Sequence, residues 1–452
     1  MLWLALSAFA AEPASAEAEL VTRPNVAKLA NGMTVILDEN HRTDTVALHL
    51  TFGIGSRDEL PGELGAAHLF EHLMFEGSEH VPTNKFDEWL TVAGGENNAY
   101  TSEDVTAYHM TFPSGAADLG LFLESDRMGY LLAGVNDENV ANQRKVVLQE
   151  RAEGYAEPNG RDWDALTRLV WPSDHPYHHP VIGTVSDVEG FTATATRAFF
   201  QKHYRPSNAV LAVVGHFDTE EMKAKIERWF SDVPEPEAPK TPRPGEYDDA
   251  VEWSPANGYI EDDVEERSVY LAWRTVPVGH PDEPALDLVE RILSGGRGTR
   301  IDDRLYYDSG KATSVFAYHA VSEIGGLFIV AASSPETPLD RLVKLATQEI
   351  GYLPQGVPTP EEMDRARESI RTDWLDALED PASRAEILVD CHRATGRPDC
   401  LVDEWKRYAA VTEADIVRVV KKYFDPETLV TLSVVPRGDP LYLEGAVPVE
   451  LP

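Results

Sequence analysis

The chain has 452 residues, which is enough for two domains of about 200 residues each. Hydrophobic residues make up 42% and aromatic residues 9% of the chain; this composition excludes disorder as its overall state. Acidic residues outnumber basic ones by 77 to 40, for a formal net charge of -37. This excludes nucleic acid as an expected partner, because phosphate binding needs clustered Lys and Arg.

The chain begins MLWLALSAFAAEPASAEAEL, an apolar run followed by small residues. Triplets ending at Ala10 and Ala16 resemble signal-peptidase sites, although no Lys or Arg precedes the apolar run. Residues 1–16 are therefore predicted to be a signal peptide. The protein is accordingly predicted to be exported to a bacterial periplasm. No later apolar stretch reaches roughly 18 residues, so no membrane span is predicted.

Two strands are predicted next, MTVILDE after an Asn31-Gly32 turn and the alternating run VALHLTFGIG. The stretch GAAHLFEHLMFEGS, residues 65–78, follows as a helix. His68 and His72 are four residues apart and share one helix face, with Glu71 close to that face. Two such histidines can bind one zinc ion, and a neighbouring carboxylate can accept a proton from water.

A third ligand has to come from another segment. The stretch ENVANQRKVVLQERAEGYAEPNG predicts a helix on which Glu150, Glu153 and Glu157 lie on one side. Spacing does not choose among these three glutamates, and each is equally explained as part of a solvated helix face.

The region from residue 204 predicts a buried strand, an amphipathic helix and a proline-rich linker. After the linker, RSVYLAWRTVPVGHPDEPALDLVERILSGG repeats the strand, loop and helix order of the first half. Aligned on the helix, the second copy replaces His68, Glu71 and His72, in that order, by Asp287, Glu290 and Arg291. Because arginine cannot ligate zinc, we expect a duplication with one working copy.

The only cysteines, Cys391 and Cys400, lie in CHRATGRPDC. Two thiols alone make a poor metal site, so a short-loop disulfide is the favoured interpretation in an exported protein. The stretch HPYHHPVIG, residues 175–183, gathers three histidines. Its prolines predict a rigid loop, and we expect no second metal there.

Together these motifs resemble the pitrilysin family of zinc peptidases, the inverzincins, which includes insulin-degrading enzyme and the mitochondrial processing peptidase. The resemblance rests on HLFEH followed by the glutamate of VVLQERAE, and on three further stretches: GGENNAYTSEDVTAYH, HPYHHPVIG and YRPSNAVLAVVGHFD. It covers nearly the whole chain after the signal and is strongest over residues 30–235. It implies that His68, His72 and Glu150 bind one Zn²⁺ and that Glu71 is the general base.

The resemblance also implies roles for residues outside this set. The segment that contains Asn98, Ala99 and Tyr100 is implied to be an edge strand, to which an extended peptide adds by main-chain hydrogen bonds. From the residues alone, a plain hairpin edge is the alternative. Gln143 stands where many relatives have an acidic group supporting the zinc site, so here the support is a hydrogen bond without charge.

The fold class implied is α+β, with two homologous domains that each combine a mostly antiparallel sheet with packed helices and together enclose a peptide chamber. The predicted boundaries are 17–235 for the zinc-bearing domain, 236–257 for the linker, and 258–452 for the second domain, which lacks zinc ligands.

The second half departs from relatives that work alone. These carry an arginine followed by a tyrosine, which bind substrate and stabilise the oxyanion. The corresponding positions here are Tyr306 and Thr313, while Arg304 and Tyr318 lie nearby but out of register. Loss of such a donor lowers the rate by a factor of about 100 to 1000. We therefore expect a heterodimer, in which a sister subunit supplies the pair; a homodimer is the alternative.

The predicted function is zinc-dependent endoproteolysis of short or unfolded peptides, with basic peptides favoured by the acidic charge. Two alternatives remain open. One is a non-catalytic core or assembly subunit, and the other is a zinc-dependent peptide-binding module. Turnover as against stoichiometric binding distinguishes them.

Overall fold

The computed structural model describes residues 16–236, 243, 245–246 and 254–451. The predicted signal peptide lies outside the described residues except for Ala16, and most of the predicted linker lies outside them as well. The strands are β1 Asn25–Lys28, β2 Thr34–Glu39, β3 Thr45–Phe52, β4 Glu96–Thr101, β5 Thr106–Pro113, β6 Ala209–Gly215, β7 Ala256–Asp262, β8 Arg267–Thr275, β9 Ser314–Ser322, β10 Gly325–Ser334, β11 Val430–Pro436 and β12 Val447–Pro448.

The α-helices of the described residues pack on two sheets and vary from one turn to more than five. They are α1 Ala16–Glu19, α2 Ala66–Leu73, α3 Lys85–Val92, α4 Ala117–Tyr130, α5 Asp137–Ala156, α6 Asp162–Val170, α7 Val185–Gly190, α8 Ala193–His203, α9 Thr219–Phe230, α10 Glu283–Leu293, α11 Leu339–Tyr352, α12 Pro360–Glu379, α13 Pro381–Thr395, α14 Leu401–Ala410 and α15 Glu413–Tyr423. No helix of the described residues is long and apolar enough to cross a membrane.

The first sheet has the strand order β1-β2-β6-β3-β5-β4. Strands β2 and β6 run parallel, and the other neighbours run antiparallel. One face carries the main core of this half, in which Leu48, Leu50 and Phe52 of β3 meet Phe70 and Leu73 of α2. The alternation read from VALHLTFGIG thus predicts this strand correctly, and β4 lies at the sheet edge.

The second sheet repeats this plan with the order β12-β7-β11-β8-β10-β9. Strands β7 and β11 are parallel, as β2 and β6 are, and β9 occupies the edge position that β4 has in the first sheet. The two sheets differ in their other outermost strand, which is the antiparallel β1 in one and the parallel β12 in the other. The predicted α+β class and the duplication are confirmed, and both sheets are mixed but mostly antiparallel, as predicted.

Each half covers the outer face of the other half's sheet with a helix. Helix α6 of the first half packs on β7, β8 and β11 of the second sheet. Helix α13 of the second half packs on β3 and β6, where its Ala385, Leu388 and Val389 meet apolar side chains of the first sheet. The predicted domain boundaries stay predictions, but two smaller apolar clusters contain residues from both halves.

The predicted disulfide is confirmed. Cys391 in α13 is bonded to Cys400, which directly precedes α14, and their Cα atoms are 5.4 Å apart. The bridge closes a short loop at the end of α13.

Candidate metal centre

Helix α2 starts from a position that requires glycine. Gly65 has φ of 92°, in the left-handed region, and a Cβ there would lie 2.7 Å from the carbonyl oxygen of Ile182. The buried Glu59 accepts hydrogen bonds from the backbone N–H groups of Gly65 and Ala67, both at 2.8 Å, and so caps the first turn. The helix is therefore fixed at its start, with Leu69, Phe70 and Leu73 buried.

The opposite face of α2 presents the two histidines to α5. The Nε2 atom of His72 lies 3.0 Å from Oε2 of Glu150, and Nε2 of His68 lies 3.8 Å from Oε1 of Glu150. The ligand atoms of these three residues all lie within 4.8 Å of one another. Among the described residues this is the one group of three or more His, Cys, Asp or Glu side chains arranged in this way. Of the three glutamates left open by spacing, Glu150 is the one brought to the histidines.

The charge state of His68 suits a metal ligand. Burial, with a smaller contribution from His72, lowers the pKa of His68 to about 4, so its imidazole is neutral at neutral pH. Only a neutral imidazole offers a lone pair to a metal. Two imidazole nitrogens and one carboxylate oxygen form the donor set of a catalytic zinc site with an open position for water.

Glu71 lies beside this group and is held by the edge strand. Its Oε2 accepts a hydrogen bond of 2.6 Å from Oγ1 of Thr101, the last residue of β4. Burial raises the pKa of Glu71, against the opposing effects of Thr101 and His72. A positioned carboxylate of raised pKa is the type of group that takes up and returns a proton during a reaction. The sequence did not point to Thr101, because its contact with Glu71 depends on where β4 packs.

Gln143 lies on α5, behind the two histidines and outside the ligand group. Its Nε2 donates a hydrogen bond of 2.5 Å to Oε1 of Glu76, which follows His72 by four residues. Burial raises the pKa of Glu76, and the charge of His72 lowers it. Glu76 thus supplies a carboxylate next to the position where Gln143 lacks one. The spacing of four from His72 is a signal by which sequence reasoning could have found Glu76.

The strand that contains Asn98, Ala99 and Tyr100 is β4, and it pairs on one side only, with β5. Asn98 is exposed, and Ala99 packs against the core on the side of α2. The Tyr100 side chain points to the other face of the sheet, where its hydroxyl donates a hydrogen bond of 3.0 Å to Oε1 of Glu386. The predicted edge strand is confirmed as an edge, and its role in substrate binding stays a prediction.

Two cavities open beside the ligand group. One is lined by Glu71, His72, Asn98 and Ala99, together with Gln143. The other is lined by Glu150 and by a group of aromatic and acidic side chains: Glu103, Tyr155, Trp163 and Asp164. Both are open to solvent, one beside His72 and the other beside Glu150.

The histidines of HPYHHPVIG have other contacts. The His175 ring stacks on Trp171 with centroids 4.2 Å apart, and His178 Nδ1 lies 2.6 Å from the Trp171 carbonyl oxygen. The Tyr177 hydroxyl donates to Asp104 at 2.8 Å and accepts from the backbone N–H of Ile324 in the second half. Through the Tyr177 hydroxyl, this loop of the first half contacts the second half.

The second-half positions that depart from the family pattern lie near the β9 edge. Tyr306 is 45% exposed, in a π-helical turn. The Thr313 hydroxyl donates to the carboxylate of Glu266, at 2.7 Å to the nearer oxygen. Arg304 is paired with Glu349 at 3.4 Å, and Tyr318 is 52% exposed on β9.

Comparison with known proteins agrees with this arrangement. The family model described as insulinase (peptidase family M16) matches residues 34–183, and the model described as peptidase M16 inactive domain matches residues 190–370. The chain is 24% identical to zinc protease PqqE of Helicobacter pylori, over 90% of this chain and 92% of that protein. It is 26% identical to an uncharacterized zinc protease of Rickettsia felis, over 92% of this chain and 98% of that protein.

Solved structures show the same fold. A protease from Helicobacter pylori superimposes with a TM-score of 0.85 at 24% identity, covering 92% of this chain and 100% of that chain. A peptidase M16 inactive domain from Pseudomonas fluorescens gives a TM-score of 0.79 at 19% identity, covering 95% and 100%. With both family models matched in order along one chain, and with both halves of the fold present, this protein belongs to the M16, or pitrilysin, family in its two-domain bacterial form.

Proposed function

We propose that this chain is a zinc-dependent endopeptidase that hydrolyses short or unfolded peptides. The observation that carries the proposal is the convergence of His68, His72 and Glu150 within 4.8 Å, with Glu71 anchored next to them by Thr101. The relatives named zinc proteases support it. A scaffold protein has no need of two histidines converging on one glutamate beside a second, buried glutamate of raised pKa.

The residues of the chain divide the work as follows. His68, His72 and Glu150 would hold Zn²⁺, which when bound supplies a Lewis acid for the scissile carbonyl. Glu71 accepts a proton from the attacking water and passes it to the leaving amine. The hydrogen bond from Thr101 leaves one carboxylate oxygen of Glu71 for this proton, because the bond engages only the other oxygen.

The substrate class follows from the edge strand and the charge. The open side of β4 offers main-chain groups that pair with any extended peptide, so binding selects for unfolded segments more than for particular side chains. The net charge of -37 favours basic peptides. We propose that this peptide binds in a chamber between the two halves.

A partner subunit completes the proposal. Tyr306 and Thr313 replace the expected arginine and tyrosine, and Thr313 is engaged with Glu266. We propose a heterodimer in which a sister chain supplies the substrate-binding pair, with a homodimer as the alternative.

The disulfide and the apolar start of the chain support export to the periplasm. Fractionation of cells that produce the full chain tests that location.

The first experiment is hydrolysis of a quenched, unstructured basic peptide by the purified chain, with Glu71→Gln and a chelator as controls. Activity that vanishes in both controls supports the peptidase. Activity that appears only when a sister chain is added supports the heterodimer. Stoichiometric peptide binding without turnover in either case would favour the peptide-binding module, and neither turnover nor binding would favour the assembly subunit.

A further inference from the structure

A hydrogen bond between two side chains joins the edge strand β4 to the second half. The Tyr100 hydroxyl donates its 3.0 Å hydrogen bond to Glu386, which lies on α13. Helix α13 belongs to the half without ligands but packs across the outer face of the first sheet. The half that holds no metal ligands therefore contacts the strand that lies beside the ligand group.

The next residue of the strand makes the contact with Glu71. Successive side chains of a strand point to opposite faces, so Tyr100 faces α13 while Thr101 faces α2. Thr101 Oγ1 donates to Glu71 at 2.6 Å. Two adjacent residues thus fix β4 on both faces, while its outer edge stays open.

Helix α13 is itself well anchored, which makes it a suitable support. Its first turn is capped by the side chain of Asp380, and Arg384 is paired with Asp38 of β2 at 2.6 Å. At its other end the disulfide of Cys391 closes the loop to α14. Glu386 lies between these two anchors.

In the part of the chain that the structure describes, no side-chain hydrogen bond joins α6, the covering helix of the second sheet, to the edge strand β9. Helix α6 bonds instead to the inner strand β8, where the Tyr270 hydroxyl donates to Asp162 at 2.6 Å. On the edge strand β9, Phe316 and Tyr318 are 45% and 52% exposed. Among the described residues, a hydrogen bond from a covering helix to an edge strand is therefore found in the sheet that carries the ligand group and not in the other.

We propose that Glu386 is a positioning residue, which through Tyr100 and then Thr101 sets both the register of β4 and the orientation of Glu71. The effect on Glu71 rests on the proposed function, whereas the effect on the register of β4 does not. An edge strand has backbone hydrogen bonds to a neighbouring strand on one side only. Without the hydrogen bond between Tyr100 and Glu386, β4 is therefore held only by its pairing with β5 and by the hydrogen bond from Thr101 to Glu71.

The test compares Tyr100→Phe, which removes the donor, with Glu386→Ala, which removes the acceptor. Glu386→Gln keeps an acceptor and serves as the conservative rescue. Tyr270→Phe is the matched control, because it removes the same kind of bond from the other sheet. The first readout is hydrogen exchange of the amides in residues 96–101, which needs no activity.

We expect exchange of this segment to rise about tenfold in Tyr100→Phe and in Glu386→Ala, and no further in the double variant, because one bond is lost in each case. Glu386→Gln and Tyr270→Phe should exchange there as the natural chain does. Unchanged exchange in both disrupting variants would overturn the proposal, as would an equal rise in Tyr270→Phe.

The second readout is kcat/KM with zinc content measured in parallel, with the sister chain added if turnover requires it. We expect a fall of about tenfold in both disrupting variants at unchanged zinc content. A rise in exchange without a fall in kcat/KM would overturn the link to Glu71. If the natural chain has no turnover under any condition, the proposed function fails, and the exchange result still decides whether Glu386 positions the strand.

Discussion

The first and second halves hold corresponding pairs of helices, α2 with α5 and α10 with α12, that use the same position in opposite ways. Helices α5 and α12 both have 20 residues, and Glu150 and Asp373 are each the fourteenth residue. In the first half Glu150 Oε2 lies 3.0 Å from His72 Nε2. In the second half Asp373 Oδ2 lies 2.9 Å from the guanidinium of Arg291.

In the second half an ion pair occupies the position that corresponds to the metal centre of the first half. The carboxylate is present in both helix pairs, and in the second half a permanent guanidinium charge faces it. The residue at the place of His68 is also satisfied internally, because Asp287 accepts hydrogen bonds from His319 at 2.5 Å and from Tyr408. The first half leaves its carboxylate and imidazoles directed at one point, as a metal site requires.

The sharpest test of this comparison is to convert the first half into the second. His72→Arg places a guanidinium opposite Glu150, and we expect zinc binding to be lost entirely while the fold is retained. Zinc stoichiometry and thermal unfolding measure the two effects. Retained stoichiometric zinc would show that His72 is not a ligand.

The next effect in size concerns the two corresponding glutamates. Glu71→Gln should lower kcat by about a thousandfold, because a positioned acid–base group contributes about 10²–10⁴. Zinc content should stay that of the natural chain. Glu290→Gln is the matched change in the second half, where Glu290 accepts a hydrogen bond from the backbone N–H of His319, and we expect hydrolysis to be unaffected. Equal losses in the two variants would contradict the assignment.

A smaller effect is expected behind the ligands. Glu76→Gln removes the carboxylate that Gln143 contacts, and support of this kind changes metal affinity by about 10- to 100-fold. Competition with a chelating dye measures the zinc affinity. The matched change in the second half is Glu349→Gln, also a partly buried carboxylate of raised pKa, but one paired with Arg304. It should leave the zinc affinity unchanged.

The smallest effect belongs to the ion pair of the second half. Asp373→Ala removes the partner of Arg291, yet the Asp373 side chain is 54% exposed. Exposed pairs contribute only about 0–1 kcal/mol, so the free energy of unfolding should fall by no more than that. Denaturant unfolding of the metal-free chain measures it. A loss of several kcal/mol would mean that this pair has a structural role that the metal centre lacks.

The regular elements near the site could be predicted because their signals are local. The alternation of VALHLTFGIG and the histidine spacing of GAAHLFEHLMFEGS each reflect a repeat within a few residues. Both elements are present, although the helix ends at Leu73 and residues 74–78 of its stretch are not helical. The selection of Glu150 over Glu153 and Glu157 had to come from family resemblance, since all three share one helix face. Thr101 was missed because nothing in its immediate sequence indicates what packs against it, whereas Glu76 was missed although its spacing of four from His72 is a local signal.

The sequence by itself determined the helix that carries His68, Glu71 and His72 and the duplication, since both are patterns along the chain. The departure at Tyr306 and Thr313 follows only from the family resemblance. The tertiary structure alone decided which helix covers each sheet, and it brings to the histidines the glutamate that the family resemblance had implied. It also decided that Tyr100 reaches Glu386, a residue separated from it by 286 positions. Such contacts depend on how sheets and helices pack over long distances, and short-range periodicity carries no information about that.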